Sequence, residues 1–445
     1  MSNIREFVNK VQLAYIHQDE QLFTQLITVN QFSPVVITLL QDLHQTSEQQ
    51  VEEIVNNILE DTSYSLAEAI IHYIELIRHI DNTDIKFVFD KLSTFYSSFI
   101  PVFNGPDTFY QLPVVKTLST LLVTLAFRVD QLGLKGKARK ANTAARLLSK
   151  MFNIMLADRS PFESSKRQGI FHVTNLAFKV YFKLNSVRMC QTFISNIRTG
   201  GVELDMFPIS QQVTYKYYIG RYALYHGRLK QAQEYLLFAF ERCHAQQWHN
   251  KRLILHYLIP TRIILGYFPS VQLLEKYQLV GPYSNLIKMI RSGYIYGFLQ
   301  HLKKYFHYFY HHLTFLLLRE RGVVLVWRCL IKNLHAARKR LGVHAHVISF
   351  KDCYNAFKLS MKKKKRVPFG MEDLECILVS LISQGYIRGY IQHQRQRLVL
   401  SKLNAFPPIS SVRLHVEKYN ESLMEDHMIH AQPALPKEIE DLMNE

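Results

Sequence analysis

The sequence predicts an all-α fold with a small β-hairpin: an α-solenoid of tetratricopeptide-like helical repeats, followed by a C-terminal winged helix. Glycine (17) and proline (14) are scarce in 445 residues while long apolar residues are abundant, which favours helices over an all-β fold. Apolar residues recur at helical spacing through the first two thirds of the chain. The segment that follows shows three helical stretches and then an alternating apolar and polar pattern, which is the element order of a winged helix.

The N-terminal region reads as a series of helices. Apolar residues share one helical face in the segments 4–11, 51–59 and 66–80. Breaks are expected where proline or glycine interrupts the pattern, at 33–34, 100–106, 160–161 and 200–201. Helices of this length with short connections predict stacked helix pairs.

One repeat has a recognisable pattern, IGRYALYHGRLKQAQEYLLFA, which begins at Ile219. Its small and apolar residues stand at tetratricopeptide spacing: Gly220, Ala223, Gly227, Leu229, Ala232, Leu236 and Ala239. Small residues at Gly220 and Ala232 let two helices approach closely, and Gly227 turns the chain between them. We find no second clear copy, so the other repeats are expected to have degenerate sequences.

Residues 322–403 predict the winged helix. Helices are expected over 322–341, over 350–361 and from 370 to a C-terminal glycine at Gly385, with a charged loop at 362–366. A hairpin follows, with a polar turn at 393–396. The predicted segments are an N-terminal helical region (1–130), tetratricopeptide-like repeats (131–321), the winged helix (322–403) and an acidic mobile tail (404–445).

The net charge of +18 is unevenly placed. Residues 301–403 hold 20 lysines and arginines against 5 aspartates and glutamates, whereas residues 404–445 hold 3 against 8. A localised basic field suggests a polyanionic partner more than a uniform excess does. The alternative is a solvated surface that like charge keeps soluble.

The cations of this basic segment are the candidate nucleic-acid contacts. They are Arg328, Lys332, Arg338, Lys339 and Arg340 on the first helix, Lys362, Lys363, Lys364, Lys365 and Arg366 in the loop, and Arg388, Arg395, Arg397 and Lys402 on or beside the hairpin. Few side-chain amides accompany them, so contact with the phosphate backbone is expected more than base reading. The alternative for the hairpin is a solvated face. The loop could bind nucleic acid, serve as a nuclear-localisation signal or simply be solvated.

A second set of cations lies among aromatic residues and suggests a protein partner. The candidate partner contacts are Tyr215, Lys216, Tyr217, Arg221, Arg242, Lys251 and Arg252. An acidic peptide that contains aromatic residues would suit such a surface. The alternative is ordinary packing between repeats, which is favoured for Tyr218 and also weighs on Tyr217.

Several functional classes find no support in the sequence. The five cysteines are far apart and include no C-x-x-C pair, so neither a disulfide framework nor a zinc finger is expected. The start lacks a signal-peptide h-region, and the apolar runs are expected to be too short for a membrane span. No P-loop, H-E-x-x-H or G-x-S-x-G motif occurs, and the histidine pairs lack carboxylates at ligand spacing. We therefore expect an intracellular protein that is not an enzyme and uses no cofactor or metal.

Five stretches carry a resemblance to a known family. They are NLAFKVYFKLNSVRMC (175–190), VTYKYYIGR (213–221), QAQEYLLFAFERCH (231–244), NKRLILHYLIP (250–260) and GYIRGYIQHQRQRLVLSKLNAFPP (385–408). Helical repeats that run directly into a winged helix resemble the PCI domain of the proteasome lid, the COP9 signalosome and an initiation-factor complex. The stretches themselves resemble the PCI domain-containing protein 2 family, which includes COP9 signalosome subunit 12-like proteins, over about residues 130–410.

The resemblance implies a non-catalytic scaffold subunit of a nuclear, pore-associated complex for transcription-coupled mRNA export, with some cytoplasmic pool. It implies pairing with a larger PCI protein and with a small acidic protein of the proteasome-lid type, and adjacent winged helices that bind RNA or DNA. The alternative is a subunit of a signalosome-like, lid-like or splicing-linked complex that binds only proteins. The stretch MKKKKRVP at 361–368 departs from the family by being more basic.

Overall fold

Helices make up most of the chain in the computed structural model, which describes residues 2–342, 346–361 and 369–412. The chain divides into two compact units, Met1–Tyr218 and Ile219–Glu445. We call them the first unit and the second unit. The division falls inside one helix, Ile209–Tyr225. The predicted fold class is confirmed, whereas the four segment boundaries drawn from the sequence stay predictions.

The first unit is built from successive helices that pack on their neighbours in the chain. They are α1 (Ser2–Ile16), α2 (Glu20–Leu26), α3 (Pro34–Leu43), α4 (Glu48–Leu59), α5 (Tyr64–Arg78), α6 (Ile85–Asn104), α7 (Leu112–Asp130), α8 (Lys140–Ala157), α9 (Ile170–Lys183) and α10 (Cys190–Thr199). The helical face predicted over residues 4–11 is buried. Two of the expected breaks are also present, since α3 begins at Pro34 and α10 ends just before Gly200.

Aromatic side chains fill much of the core of the first unit. Tyr73 of α5 is fully buried against Phe7 of α1 and Phe95 of α6. Its hydroxyl donates to the backbone oxygens of Leu26 and Thr28, at 2.9 and 2.7 Å. A buried tyrosine needs such acceptors, and here they are carbonyls that the end of α2 leaves without helical partners.

Pro101 lies inside α6, although the sequence suggested a break across 100–106. Proline in a helix removes the bond to the carbonyl four residues earlier, here that of Ser97. Both Ser97 and Pro101 are exposed, so water can satisfy this carbonyl. The helix therefore continues past Pro101 and ends at Asn104.

One stretch of the first unit, Phe109–Asp130, is long and apolar enough to cross a membrane by length and composition. The sequence expectation that every apolar run is too short for a span is therefore wrong for this stretch. In the structure its helix α7 packs against α6, α8 and α9, and half of its most apolar window is buried inside the protein. This burial is what a core helix shows.

The second unit continues the helical series and ends in a small sheet. Its helices are α11 (Ile209–Tyr225, shared with the first unit), α12 (Leu229–Arg242), α13 (Trp248–Ile264), α14 (Val271–Lys276), α15 (Val280–Ser292), α16 (Ile295–Lys304), α17 (Phe306–His311), α18 (Phe315–Leu317), α19 (Val323–Arg340), α20 (Phe350–Met361) and α21 (Met371–Ser383). Its strands are β1 (Val347–Ser349), β2 (Gly389–Gln392) and β3 (Arg397–Leu400).

The helices α11 and α12 form the repeat that the sequence predicted. Gly220 faces α12 so closely that a Cβ atom there would lie 2.7 Å from Cγ of Leu236. Ala232 and Ala239 are fully buried. Gly227 ends the turn between the helices with φ of 71°, a conformation that glycine adopts without strain.

The last three helices and the sheet form the winged helix, in the order α19, β1, α20, α21, β2, β3. The predicted cap at Gly385 is confirmed: its φ is 85°, and the amides of Gly385 and Tyr386 donate to the carbonyls of Ile382 and Leu381. This pair of bonds is the Schellman motif. Chain direction then reverses into the hairpin.

Strand β1 is an element of the winged helix that the sequence did not predict. It pairs with β3, about fifty residues further along the chain, so that Ile348 lies opposite Leu398 in a sheet of order β1-β3-β2. Three residues are too few to show a strand pattern. The predicted two-stranded hairpin is therefore part of a three-stranded sheet.

Candidate nucleic-acid interface

The helix α19 carries five of the predicted nucleic-acid contacts, and the structure separates them by exposure. Lys332, Lys339 and Arg340 are exposed, the last two at the C-terminal end of the helix. A cation in the last turn also complements the helix dipole, so these charges have a structural benefit as well.

Arg328 is only 5% exposed, and its place in the core removes it from the predicted interface. Its Nη2 donates to the backbone oxygen of Pro407 at 2.6 Å and lies 3.5 Å from that of Phe406. Burial lowers the pKa of the guanidinium, because desolvation disfavours its charged form. Arg328 thus holds the segment after β3 against α19, and we correct the sequence prediction that it meets phosphate.

Arg338 is half-buried and has an acidic partner. Its Nη1 lies 2.5 Å from Oδ2 of Asp352 on α20, and its Nη2 donates to the backbone oxygen of Val347 at 3.3 Å. The side chain therefore ties α19 to β1 and α20. Because Asp352 offsets its charge, Arg338 contributes less to an external field than its exposed neighbours do.

The hairpin presents the other group of predicted cations to solvent. Arg388, Arg395, Arg397 and Lys402 are all exposed. Arg395 is in the turn, and Arg397 is the first residue of β3. The structure therefore brings these four residues to the surface of the β2–β3 hairpin and its flanks.

One acidic group lies close to the hairpin turn. His393 of the turn has its Nδ1 at 2.8 Å from Oε1 of Glu375 on α21. This contact fastens the turn to the helix beneath it. It does not involve the arginines of the turn and strand.

Two exposed lysines of the winged helix were not assigned a role from the sequence. Lys351 and Lys358 lie on α20, and the ammonium of Lys358 stands 4.5 Å from the ring centre of Tyr354. The helical pattern of α20 could have placed them on its polar face, since they are seven residues apart and share that face. The predicted contacts Lys362, Lys363, Lys364, Lys365 and Arg366 lie outside the described residues, as does the tail from residue 413 onward.

The candidate partner contacts divide at the same boundary as the two units. In the first unit Tyr215 and Tyr217 are each 7% exposed, and the ring of Tyr215 packs against Phe171 and Phe178 with centres 4.7 and 5.9 Å apart. Both tyrosines therefore serve the core, and we correct the prediction that they meet a partner. Lys216, between them, is half-buried.

The four partner candidates of the second unit are cations that lie over aromatic rings. Arg221, Lys251 and Arg252 are half-buried, over Tyr257, Phe240 and Trp248 at 4.5, 4.6 and 5.4 Å from the ring centres. Lys251 also donates to the backbone oxygen of Phe240 at 2.7 Å. Arg242 is exposed, 6.0 Å from the ring of Phe238. These cations retain partial exposure beside aromatic surface.

A pair of histidines is buried near this group. His256 and His312 stack with ring centres 3.9 Å apart, and His256 Nδ1 lies 2.7 Å from the hydroxyl of Tyr308. Burial, reinforced by the positive charges of Arg252 and His311, lowers the pKa of His256 to about 4. This stack therefore stays neutral at physiological pH.

One cluster of residue types that bind metals occurs among the described residues. Ligand atoms of Glu48, Glu75 and His79 lie within 4.8 Å of one another, on and beside α4 and α5. Lys91 forms an ion pair with Glu75. An ammonium group competes with a metal ion for this carboxylate, so we assign the cluster to surface ion pairing.

The fold and the site together define a PCI protein: helical repeats run directly into a winged helix whose exposed surface is basic. The PCI domain family model matches residues 335–402, from the second half of α19 to the end of the hairpin. PCI domain-containing protein 2 of Xenopus laevis is 32% identical over 346 residues, which cover 76% of this chain and 84% of that protein. The same-named protein of Danio rerio is 32% identical over 339 residues, with coverage of 75% and 82%.

A plant relative aligns over more of the chain. Enhanced ethylene response protein 5 of Arabidopsis thaliana is 27% identical over 424 residues, which cover 92% of this chain and 96% of that protein. Given these matches, the chain belongs to the PCI domain-containing protein 2 family. The resemblance seen in the sequence is confirmed. PCI domain proteins are generally non-catalytic scaffolds.

Proposed function

We propose that this protein is a non-catalytic scaffold subunit of a nuclear complex for transcription-coupled mRNA export, associated with the nuclear pore. It pairs with a larger PCI protein and a small acidic protein, and its winged helix binds RNA or DNA. The observation that carries the nucleic-acid part is the set of exposed cations on α19 and on the hairpin. The export assignment rests on family membership.

The balance of charge on the winged helix favours a polyanion. Seven predicted cations are exposed: Lys332, Lys339, Arg340, Arg388, Arg395, Arg397 and Lys402. The described part of the winged helix also holds four acids, Asp352, Glu372, Asp373 and Glu375, of which Asp352 and Glu375 lie beside Arg338 and His393. The exposed cations outnumber these acids, and they attract phosphates with release of counterions.

The half-buried cations of the second unit support the proposal that the protein binds a small acidic protein. Arg221, Lys251 and Arg252 each lie over an aromatic ring, which holds the charged group in place beside apolar surface. An acidic peptide with aromatic residues would bury its rings there and pair its carboxylates with these cations. This is the chemistry that a small acidic subunit offers.

The charge-reversed variant Arg395→Glu, Arg397→Glu, Lys402→Glu tests the nucleic-acid part. We expect it to weaken binding of single-stranded RNA in a polarisation assay. If all three residues meet phosphates, the log–log salt slope should also decrease by about 2, at roughly 0.7 per phosphate on a single strand. Circular dichroism should stay unchanged, because all three side chains are exposed.

A matched control separates a local surface from overall charge. Lys135, Lys137 and Arg188 are exposed cations of the first unit, and their reversal to glutamate changes net charge by the same amount. The control variant should bind RNA like the wild-type protein. Equal loss in both variants, or no loss in the hairpin variant, would contradict the proposed interface.

The rival function is a subunit of a signalosome-like, lid-like or splicing-linked assembly, whose basic surface meets acidic protein. Near-zero affinity for random single-stranded RNA at low salt favours this rival. A pull-down with mass spectrometry tests the complex itself. Recovery of a large PCI export protein with a small acidic protein supports our proposal, and recovery of signalosome subunits refutes it.

A further inference from the structure

The outer face of the three-stranded sheet carries one exposed aromatic ring among cations. Tyr390 is the second residue of β2 and is 57% exposed. Its strand neighbours on both sides, Gly389 and Ile391, are half-buried. The ring therefore projects from the sheet to solvent and does not pack into the winged-helix core.

The register of the sheet fixes which residues share this face with Tyr390. On β3, Leu398 and Leu400 are 0% and 3% exposed, so they face the core. Side chains alternate along a strand, so Arg397 and Val399 point outward. Because Tyr390 pairs with Val399, it points outward as well.

The close approach of β2 and β3 makes this register rigid. A Cβ atom at Gly389 would lie 2.3 Å from the backbone oxygen of Val399, so only glycine allows the two strands to pair here. The outward position of Tyr390 is consequently set by the backbone and by two buried leucines. The backbone therefore fixes the point at which the Tyr390 side chain leaves the sheet.

Cations stand on both sides of the ring. Arg388 lies two residues before Tyr390, just outside β2, and its backbone oxygen accepts from the amide of Ser401 at 2.9 Å, which continues the pairing with the β3 side of the hairpin. Alternation then places Arg388 on the same side as Tyr390, about 7 Å along the chain. Arg397 is the diagonal neighbour on β3, about 7–8 Å away between backbone positions. Gln392, opposite Arg397, adds an amide that can donate and accept hydrogen bonds.

We propose that Tyr390 is a stacking platform for an unpaired base, with Arg388 and Arg397 holding the flanking phosphates, so that the winged helix selects single-stranded nucleic acid. This inference rests on the proposed nucleic-acid binding and adds the form of ligand. A flat ring with cations beside it suits a nucleotide, because any base can stack and its phosphates need positive charge.

A protein partner fits this face less well. The centre of a protein interface is depleted of charged residues and presents contiguous apolar surface. Among the described residues of the three strands, the apolar side chains on this face besides the ring are the half-buried Val347 and Val399, and Gln392 and Arg397 lie next to them. Base stacking needs only the area of one ring.

The test uses the full-length protein and three labelled probes of equal length: a single-stranded oligouridine, the same ribose-phosphate chain without bases, and a duplex. Tyr390→Ala should weaken binding of the oligouridine by about 5- to 150-fold. Its affinity for the abasic chain and the duplex should stay within about twofold of wild type, because neither offers an unpaired base. A single-stranded DNA probe shows whether the sugar matters.

Two further variants serve as controls. Tyr390→Phe keeps the ring and should bind oligouridine nearly as well as wild type. Tyr64→Ala removes a tyrosine of the first unit that is 70% exposed, and should change nothing.

The outcomes separate this inference from the function on which it rests. Equal loss on the abasic chain, or no loss on oligouridine, refutes stacking at Tyr390. If the hairpin charge reversal weakens binding of every probe and Tyr390→Ala weakens binding of none, the result supports nucleic-acid binding and refutes the stacking platform. If the wild-type protein binds no probe, both the proposed nucleic-acid binding and the stacking platform are refuted. Loss of a protein partner with unchanged RNA affinity assigns the ring to a protein interface.

Discussion

Replacing Arg328 by methionine should destabilise the second unit without weakening nucleic-acid binding. Methionine keeps the apolar stem of the side chain and removes the guanidinium. The 2.6 Å bond to the backbone oxygen of Pro407 is then lost, and a carbonyl that makes a buried hydrogen bond loses its donor.

The size of the effect follows from two opposing contributions. A hydrogen bond from a charged donor contributes about 1.5–3 kcal/mol net. Burial of the Arg328 guanidinium costs free energy, as its lowered pKa indicates, and the variant recovers part of this cost. We therefore expect a loss of about 2 kcal/mol, which corresponds to a decrease in Tm of roughly 4–8 °C for a unit of this size.

The matched control is Lys332→Met, one turn further along the same helix and exposed. This variant should keep the wild-type Tm within about 1 °C, because surface substitutions change stability little. It should bind RNA more weakly with a smaller salt slope. Thermal unfolding by circular dichroism and polarisation binding measure both properties on the same samples.

One pair of results would contradict this structural role of Arg328. If Arg328→Met unfolds like the wild-type protein but loses RNA affinity, the guanidinium meets the ligand and does not hold the segment after β3. The bond to Pro407 would then be unimportant in solution.

Two other predictions concern packing and pH. Gly220→Val should lower the free energy of unfolding by about 2–3 kcal/mol, because its Cβ would overlap Leu236. In that background Leu236→Ala should be less destabilising than in the wild-type protein, because it removes the overlap. Urea titrations of the wild type, both single variants and the double variant measure this. The pKa of His256 is near 6.5 in the unfolded chain and about 4 in the folded protein, so the unfolded chain binds a proton first as the pH falls. The free energy of unfolding should therefore decrease between pH 7 and pH 5, by about 1 kcal/mol after allowance for solvent screening. His256→Gln should flatten this decline, and an unchanged profile would refute the assignment.

The candidate site was predictable in part from the sequence. The concentration of basic residues in the winged helix, and the alternation along the hairpin, indicated that Arg395 and Arg397 would be exposed. Tyr390 could have been found from the same alternation, since it stands on the face opposite Ile391. The proposed stacking role of Tyr390 depends on the strand register that places Arg397 diagonally beside it, which the charge pattern of the sequence does not contain.

The local elements and the order in which they occur could be predicted from the sequence. Helical spacing, the small residues of the repeat and the glycine cap at Gly385 depend on neighbours within a few residues, so periodicity reveals them. The net charge of the winged helix is likewise a property of composition. These features were sufficient to predict helical repeats followed by a winged helix, which is the layout of a PCI domain.

Which cations are exposed and which are buried depends on the tertiary structure. Arg328 and Lys332 are alike in sequence, on one helix and four residues apart. Arg328 is buried and donates a hydrogen bond to a carbonyl 79 residues further along the chain, whereas Lys332 faces solvent. Strand β1 likewise exists only because β3 pairs with it across some fifty residues. Side-chain burial and strand pairing depend on contacts between residues distant in the chain, and a local sequence pattern carries no information about such contacts.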